Sequence, residues 1–283
     1  MTARTLLITG VGSGLGAAFA RAAIDSGHQV VGTVRRRSDA GADVAALGLA
    51  PGGIVLPLDL TDVAAIPAVV AEAEALVGPI DVLVNNAGFG LEGALEESPL
   101  DALRRQLDVN VVAQVALMQA VLPGMRSRRR GHIVNVTSMA GSVGLPAVSF
   151  YCAAKFALEG ISEALGKEVR PFGIHVTAFA PGQFRTDWAG RSLERSPETI
   201  TDYVPIIGPM RAARRAKDGR QAGDPAKAAT LLMKIIAASN PPARVFVGPD
   251  AVALAHQKVK RMQAELAAWE DASAATDYDV PDR

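Results

Sequence analysis

Tyr151 and Lys155 stand four residues apart in the run Tyr151-Cys152-Ala153-Ala154-Lys155. On a helix that spacing puts both side chains on one face. A free phenol has a pKa of about 10, too high for easy proton exchange near neutrality. A neighbouring ammonium favours the phenolate and lowers that value, so the pair forms a tunable general acid or base. Ser138 lies thirteen residues before the tyrosine. Its hydroxyl can hydrogen-bond a carbonyl or alcohol oxygen whose proton the phenol supplies or removes. Taken singly, each residue has a plain reading: a core aromatic, a solvated helix charge, a turn cap. Their joint spacing points to chemistry.

A second motif lies near the N-terminus, Thr9-Gly10-Val11-Gly12-Ser13-Gly14-Leu15-Gly16. It follows an apolar run, 6–9, and opens a helical pattern over 15–26. Glycines let the backbone approach a pyrophosphate, and a helix N-terminus supplies free N–H groups and a positive dipole end. This strand–turn–helix context predicts nucleotide binding, although the spacing is T-G-x-x-x-G-x-G rather than G-x-G-x-x-G.

The elements that must position these residues follow from the hydrophobic pattern. Runs 6–9, 30–34, 54–58, 82–85, 133–136, 176–180 and 245–247 are continuously apolar, as parallel strands covered on both faces require. Stretches 15–26, 63–77, 100–125, 150–170 and 225–238 read as helices. The alternation predicts an α/β doubly wound parallel sheet of about seven strands with helices on both faces. We expect a single domain over 1–249, including a long polar connection, 183–223, that serves as a lid. Residues 250–283 form an extension: a helix over 250–270 with an apolar stripe of Leu254, Val259, Met262, Leu266 and Trp269, then a frayed tail from 273.

Composition narrows the class. With 283 residues and 49% hydrophobic content, a large core is within reach. Lys+Arg and Asp+Glu are both 29, which argues against a surface built for nucleic acid or anionic lipid. One cysteine excludes an internal disulfide and fits a reducing compartment, so we expect a cytoplasmic protein. The chain enters its first strand almost at once, with no signal-peptide pattern and no apolar run of about 18 residues, so we expect no membrane span. The four histidines are scattered without ligand spacing, and no metal site is inferred.

The glycine turn, Asn85-Asn86-Ala87-Gly88, Asn110, Ser138, Tyr151, Lys155 and Pro181-Gly182 fall in the order and at the separations of the short-chain dehydrogenase/reductase family, in its compact single-domain branch. The resemblance covers roughly 4–248. It implies a Rossmann fold and hydride transfer between a nicotinamide cofactor and a ketone or aldehyde/alcohol pair. It implies Tyr151 as acid/base and Ser138 as the residue orienting the substrate oxygen. Lys155 would lower the tyrosine pKa and hold the nicotinamide ribose. Asn110 would support a proton-relay water through a bend in its helix. The cofactor would lie along Gly10, Gly12, Ser13, Gly14, Leu15 and Gly16, along Asn86, Ala87 and Gly88, and along Pro181, Gly182 and Thr186, the last bonding the carboxamide. The Asn-Asn-Ala-Gly stretch would also stabilise the central sheet. Asp59, followed by Leu60, resembles the family's adenine-contacting position, although it can also be read as the neighbour of a helix cap at Thr61.

Cofactor choice is read from the end of the second strand, Thr33-Val34-Arg35-Arg36-Arg37. An acidic residue there would take a ribose 2′-OH and select NAD. Arginines match a 2′-phosphate instead, so NADP(H) is expected in preference to NAD(H), with Arg35 first and Arg36 second. Arg126, Arg128, Arg129 and Arg130 should lie at the far end of the sheet as a solvated loop. Arg211, Arg214, Arg215, Lys217 and Arg220 in the lid read first as a solvated helix face. Cys152 reads as a small buried hydrophobe. Phe184, Trp188, Leu193, Tyr203, Val204, Ile206, Ile207 and Met210 would line a moderately apolar substrate site. A transient-hydride epimerase or dehydratase, and a non-catalytic NADP-binding regulator, stay open as alternatives. A homodimer or homotetramer is the family's default.

Overall fold

The computed structural model describes residues 3–35 and 53–278. Seven strands form one sheet: β1 (Thr5–Thr9), β2 (Gln29–Val34), β3 (Gly53–Pro57), β4 (Val82–Asn85), β6 (Gly131–Val136), β7 (Ile174–Pro181) and β9 (Arg244–Val247). Their order is β3-β2-β1-β4-β6-β7-β9, with every pair parallel. After β3 the chain crosses back to the other side of β1. The strand order therefore reverses between β1 and β4, and ligands of such sheets bind in the crevice outside the carboxyl ends of the strands at that point.

The continuous apolar strands are explained by two cores. Leu6 and Ile8 face one layer with Phe19, Phe179 and Leu232, while Leu7 between them faces the other with Leu83, Leu117, Met125 and Leu158. Alternate side chains of a strand point to opposite faces, so burial on both demands apolar residues throughout. The first layer is closed by α1 (Gly14–Asp25) and α7 (Pro225–Ala237). The second is closed by α2 (Ile66–Val77), α4 (Ala113–Arg128) and α5 (Ser149–Val169). α3 (Leu100–Leu107) runs into α4 through one π-helical turn, Asp108–Val112. The combined helix 100–128 is long and apolar enough to cross a membrane, but it commits Ala113, Leu117, Val121 and Met125 to the core.

Four details differ from the sequence reading. Asp62, not Thr61, caps the turn before α2, its Oδ1 accepting from the Ala65 N–H at 3.3 Å, while Thr61 donates to Asp59. The lid is more than a polar loop. It contains β8 (Leu193–Arg195), which pairs in parallel with β5 (Gly90–Glu92), and the helix α6 (Val204–Lys217). The last helix, α8, spans Pro249–Ala274, so Ser273 is helical rather than part of a tail. Leu254 leaves the predicted stripe and faces the main cleft.

Candidate active site

The crevice at the sheet's switch point holds a cleft of about 530 Å³. Its first wall is the turn after β1. Gly10 and Gly14 adopt φ of +73° and +58°, the left-handed region where a side chain is strained. A Cβ on Gly16 would lie 2.2 Å from the Gly10 carbonyl oxygen, so only glycine lets α1 start this close to the turn. Ser13 occupies the N-cap of α1 without capping it, and the first turn carries no acidic residue. The free N–H groups at this helix end therefore remain available to an anion. Ser13 Oγ instead accepts from Arg191 Nη2 at 2.6 Å. The sequence reading missed Arg191, which lies 178 residues away in the lid, and no local pattern signals it.

The second wall follows β4. Thr9 Oγ1 accepts from the Asn86 and Ala87 N–H groups at 2.9 and 3.0 Å, and Asn86 Nδ2 donates to the Thr9 carbonyl at 2.8 Å. Asn85 Nδ2 donates to Asn135 Oδ1 at 2.8 Å across the β4–β6 pair. This buried asparagine pair stitches the central strands together. Asn110 sits within the π turn, buried. Its Oδ1 accepts from the Phe89 N–H at 3.2 Å and its Nδ2 donates to the Phe89 carbonyl at 2.9 Å. A Cβ on Gly88 would meet Asn110 Oδ1 at 2.3 Å and Lys155 Nζ at 3.8 Å, so these three residues crowd one spot. Asn110 thus sits in a π turn, a feature frequent at functional sites.

Ser138, Tyr151 and Lys155 meet on the cleft floor. Ser138 lies two residues past β6 and its Oγ accepts from the Ala140 N–H at 3.1 Å, so it caps the short turn Met139–Gly141 as well as lining the cleft. Tyr151 and Lys155 lie one turn apart near the start of α5, both buried. Lys155 Nζ donates to the Val136 carbonyl at 2.8 Å and stands 5.7 Å from the Tyr151 ring centroid. The expected depression of the phenol pKa is absent. Burial pushes Tyr151 up to about 12, with the Ser138 hydrogen bond pulling weakly the other way. Burial also brings the Lys155 ammonium down to about 8, opposed by Glu159. Desolvation is the largest influence on both groups, and Nζ is spent on a strand carbonyl.

The last wall is Pro181, Gly182 and the segment to Thr186. Gln183 N–H donates to Asp250 Oδ2 at 2.8 Å, and a Cβ on Gly182 would strike that carboxylate. The start of α8 therefore pins this segment, a contact across 67 residues. Thr186 Oγ1 accepts from the Trp188 N–H at 3.3 Å, and its Cβ lies 3.3 Å from where Gly14 would carry one. The segment thus reaches back to the glycine turn.

Several predicted residues lie off the cleft. Gly12 faces Val34 and Gly16 packs beneath the turn. Arg35 is exposed at the end of β2, and Arg36 falls outside the described residues. Asp59 is exposed with Oδ1 taken by Thr61, and Leu60 is buried. Of the eight expected apolar lid residues, Phe184, Trp188 and Met210 line the cleft. Leu193 and Ile207 are buried elsewhere, Val204 and Ile206 face outward, and the Tyr203 hydroxyl donates to Glu96. Trp188 packs on Tyr151 with centroids 5.2 Å apart.

The lid cations are not a uniform solvated face. Arg211 is buried against Glu198, and its Nη2 donates to the Ser196 carbonyl at 2.9 Å. Arg214 lines the cleft and pairs with Glu92, which is fully buried and also holds Arg195 at 3.0 Å. Lys217 reaches the rim, whereas Arg215 and Arg220 are exposed. Nothing in the local sequence marks Glu92 as a buried ion. The basic cluster before β6 lies at the far end as expected, but it ties elements together. Arg128 donates to the Ile80 carbonyl, Arg129 stacks over Phe172, and Arg130 pairs with Asp81. Cys152 is buried against the 143–145 segment, and burial raises its thiol pKa. Among the described residues no cluster of three His, Cys, Asp or Glu side chains is disposed for a metal ion.

The N–H-rich turn, the glycines that leave room above it and a buried lysine across the cleft fit a nicotinamide dinucleotide. Comparison with known proteins points the same way. The family model described as short chain dehydrogenase matches residues 4–196. The chain is 35% identical to an oxidoreductase, BOA17, of Botryotinia fuckeliana, over 95% of this chain and 97% of that one. It is 37% identical to a 3-ketodihydrosphingosine reductase of Bacteroides thetaiotaomicron, over 88% and 89%. The crystal structure of a short-chain dehydrogenase from Streptomyces avermitilis matches with a TM-score of 0.89 and 38% identity, covering 98% of this chain and all of that one.

Proposed function

This chain belongs to the short-chain dehydrogenase/reductase family, oxidoreductases of CH–OH and C=O groups, and from that premise we propose that it interconverts a moderately apolar ketone or aldehyde and its alcohol using NADP(H). The observation that carries this reading is the meeting of Ser138, Tyr151 and Lys155 on the floor of a cleft whose opposite wall is the glycine turn. When bound, the nicotinamide supplies or takes up the hydride at the carbonyl carbon. Ser138 Oγ holds the substrate oxygen. Tyr151 gives that oxygen its proton in reduction and removes it in oxidation. With its pKa near 12, the buried phenol rests in the protonated form that reduction needs. Lys155 places a cation 5.7 Å from the ring, where it favours the phenolate that proton donation leaves behind. Asn110 holds the loop after β4 at Phe89 and would support the water through which the tyrosine is reprotonated.

The preference for NADP(H) rests on the end of β2, where Val34 is followed by an exposed Arg35 and no acid, with Arg36 next in sequence. A ketone substrate agrees with the Bacteroides relative, which is named as a keto reductase. Phe184, Trp188, Met210 and Leu254 supply the apolar wall. We place cofactor and substrate within a single domain, 1–249, with 250–283 as an extension, in a cytoplasmic protein that works as a homodimer or homotetramer. The exposed Val112 and Phe156 on the outer helices support self-association.

The test is NADPH oxidation over a panel of ketones and aldehydes, with NADH and Tyr151→Phe as controls. Turnover should fall by about 10²–10⁴ in the variant while NADPH affinity, read by fluorescence titration, is unchanged. Full turnover in the variant would remove Tyr151 from the chemistry, and equal rates with NADH would remove the cofactor preference.

A further inference from the structure

α8 leaves the body of the protein. Ala251 is buried and Leu254 faces the cleft, but every residue from 259 to 278 is exposed. Five large apolar side chains lie along the helix in the open: Val252 (42% exposed), Val259 (54%), Met262 (53%), Leu266 (68%) and Trp269 (69%). With Ala255 included, the steps from 252 to 269 are three, four, three, four and three. That is the a/d pattern of a coiled-coil seam. A lone helix has little to hold it in water, and Glu270 and Asp271 place negative charge at the C-terminal end, against the helix dipole.

We propose that this seam pairs with the same seam of a second copy, antiparallel, about a two-fold axis between residues 260 and 261. Two independent features select the copy and the direction. The first is volume. Antiparallel pairing sets Val252 against Trp269 of the partner subunit, Ala255 against Leu266 of the partner subunit, and Val259 against Met262 of the partner subunit. Small meets large in the two outer layers, as a close-packed seam requires. Parallel pairing would set Trp269 against Trp269 of the partner subunit and Ala255 against Ala255 of the partner subunit, overfilling one layer and leaving another void. The second is charge. In the antiparallel register Lys258 flanks Glu265 of the partner subunit, twice by symmetry, and His256 flanks Gln263 of the partner subunit. The parallel register would oppose Glu265 and Glu270 of the partner subunit. An isologous contact of this kind is self-complementary and closed.

Light scattering on the full chain after size exclusion, at low salt, tests the pairing. Leu266→Glu should halve the assembly mass, whether the outer helices contribute a further interface or not. The site is exposed, so the fold is untouched, and an unchanged melting profile of the dilute protein checks this. Lys258→Glu should weaken association about tenfold through two repelling pairs, and Lys258→Glu combined with Glu265→Lys should restore it. A monomeric wild-type chain, or a mass indifferent to Leu266→Glu, would overturn the proposal. So would tighter association on Glu265→Lys alone, which is the parallel outcome. A monomer that co-sediments with phosphatidylcholine/phosphatidylglycerol vesicles would assign the face to a lipid surface and overturn it equally.

Discussion

Lys155→Met should make the cofactor-free protein more stable at pH 7 while abolishing turnover. Burial lowers the Lys155 ammonium from 10.5 to about 8. A shift of that size is a penalty of about 3 kcal/mol on holding the charged form in the fold. Methionine matches the stem and removes the charge. It also strands the Val136 carbonyl, which accepts from Nζ at 2.8 Å, at a cost of about 1–2 kcal/mol. Burial wins over the lost hydrogen bond, leaving a net gain of about 1–2 kcal/mol at pH 7. The pH dependence isolates the cause. Between about pH 8 and 10.5 the unfolded wild type binds a proton that the folded form has released. Wild-type stability therefore rises with pH across this window relative to the variant, by about 1.4 kcal/mol per unit. Urea unfolding of both proteins at pH 7 and pH 9.5 reads the difference, with other titrations cancelling. The variant's advantage should shrink by about 2 kcal/mol and vanish or reverse. A variant less stable than wild type at pH 7, or a gap that does not move with pH, would refute the reasoning.

Other perturbations probe the walls of the site. Glu92→Gln removes the buried carboxylate between Arg195 and Arg214 and should cost about 3 kcal/mol, seen as a melting temperature lower by about 5–10 °C. The same change frees α6, so KM should rise more than kcat falls. Gly16→Ala drives a methyl into the Gly10 carbonyl, and calorimetric titration should show NADPH binding weakened at least about tenfold. Arg35→Ala should raise the KM for NADPH by about 10–100-fold, the worth of a charge-assisted phosphate contact, and leave NADH kinetics unchanged.

The strands and helices of the sheet were legible in the chain because they answer to one-dimensional rules. A segment such as Leu6–Leu7–Ile8 must be apolar at every position when both faces are covered, and that reads directly. The turn after β1 reads for a similar reason, since its glycines are demanded by backbone conformation and by a 2.2 Å approach within one local unit. The cap at Asp62 was assigned to the wrong neighbour because Thr61, Asp59 and Asp62 are all competent acceptors, and backbone geometry chooses among them.

The lid shows where sequence reasoning stops. Arg211, Arg214, Arg215, Lys217 and Arg220 look alike in a string of letters. Glu198 and Glu92 turn the first two into buried pairs, and Glu92 comes from a strand 122 residues before Arg214. Leu193 and Phe184 are equally apolar, but only Phe184 lines the cleft, since β8 pairs with β5 and carries Leu193 inward. Arg191 and Asp250, which hold the glycine turn and the Gly182 segment, are likewise contacts between distant parts of the chain.

By itself the sequence determined the parallel sheet, and it singled out the glycine turn, Ser138, Tyr151 and Lys155 as candidates, because residue type and short spacing suffice for each. Only the tertiary structure shows how deeply the tyrosine and lysine are buried and where the ammonium points. The sequence reasoning had Lys155 lowering the phenol, but the fold buries both groups, directs Nζ to Val136 and raises Tyr151 to about 12. Desolvation is set by everything that packs around a group, and that surrounding is assembled from the whole chain.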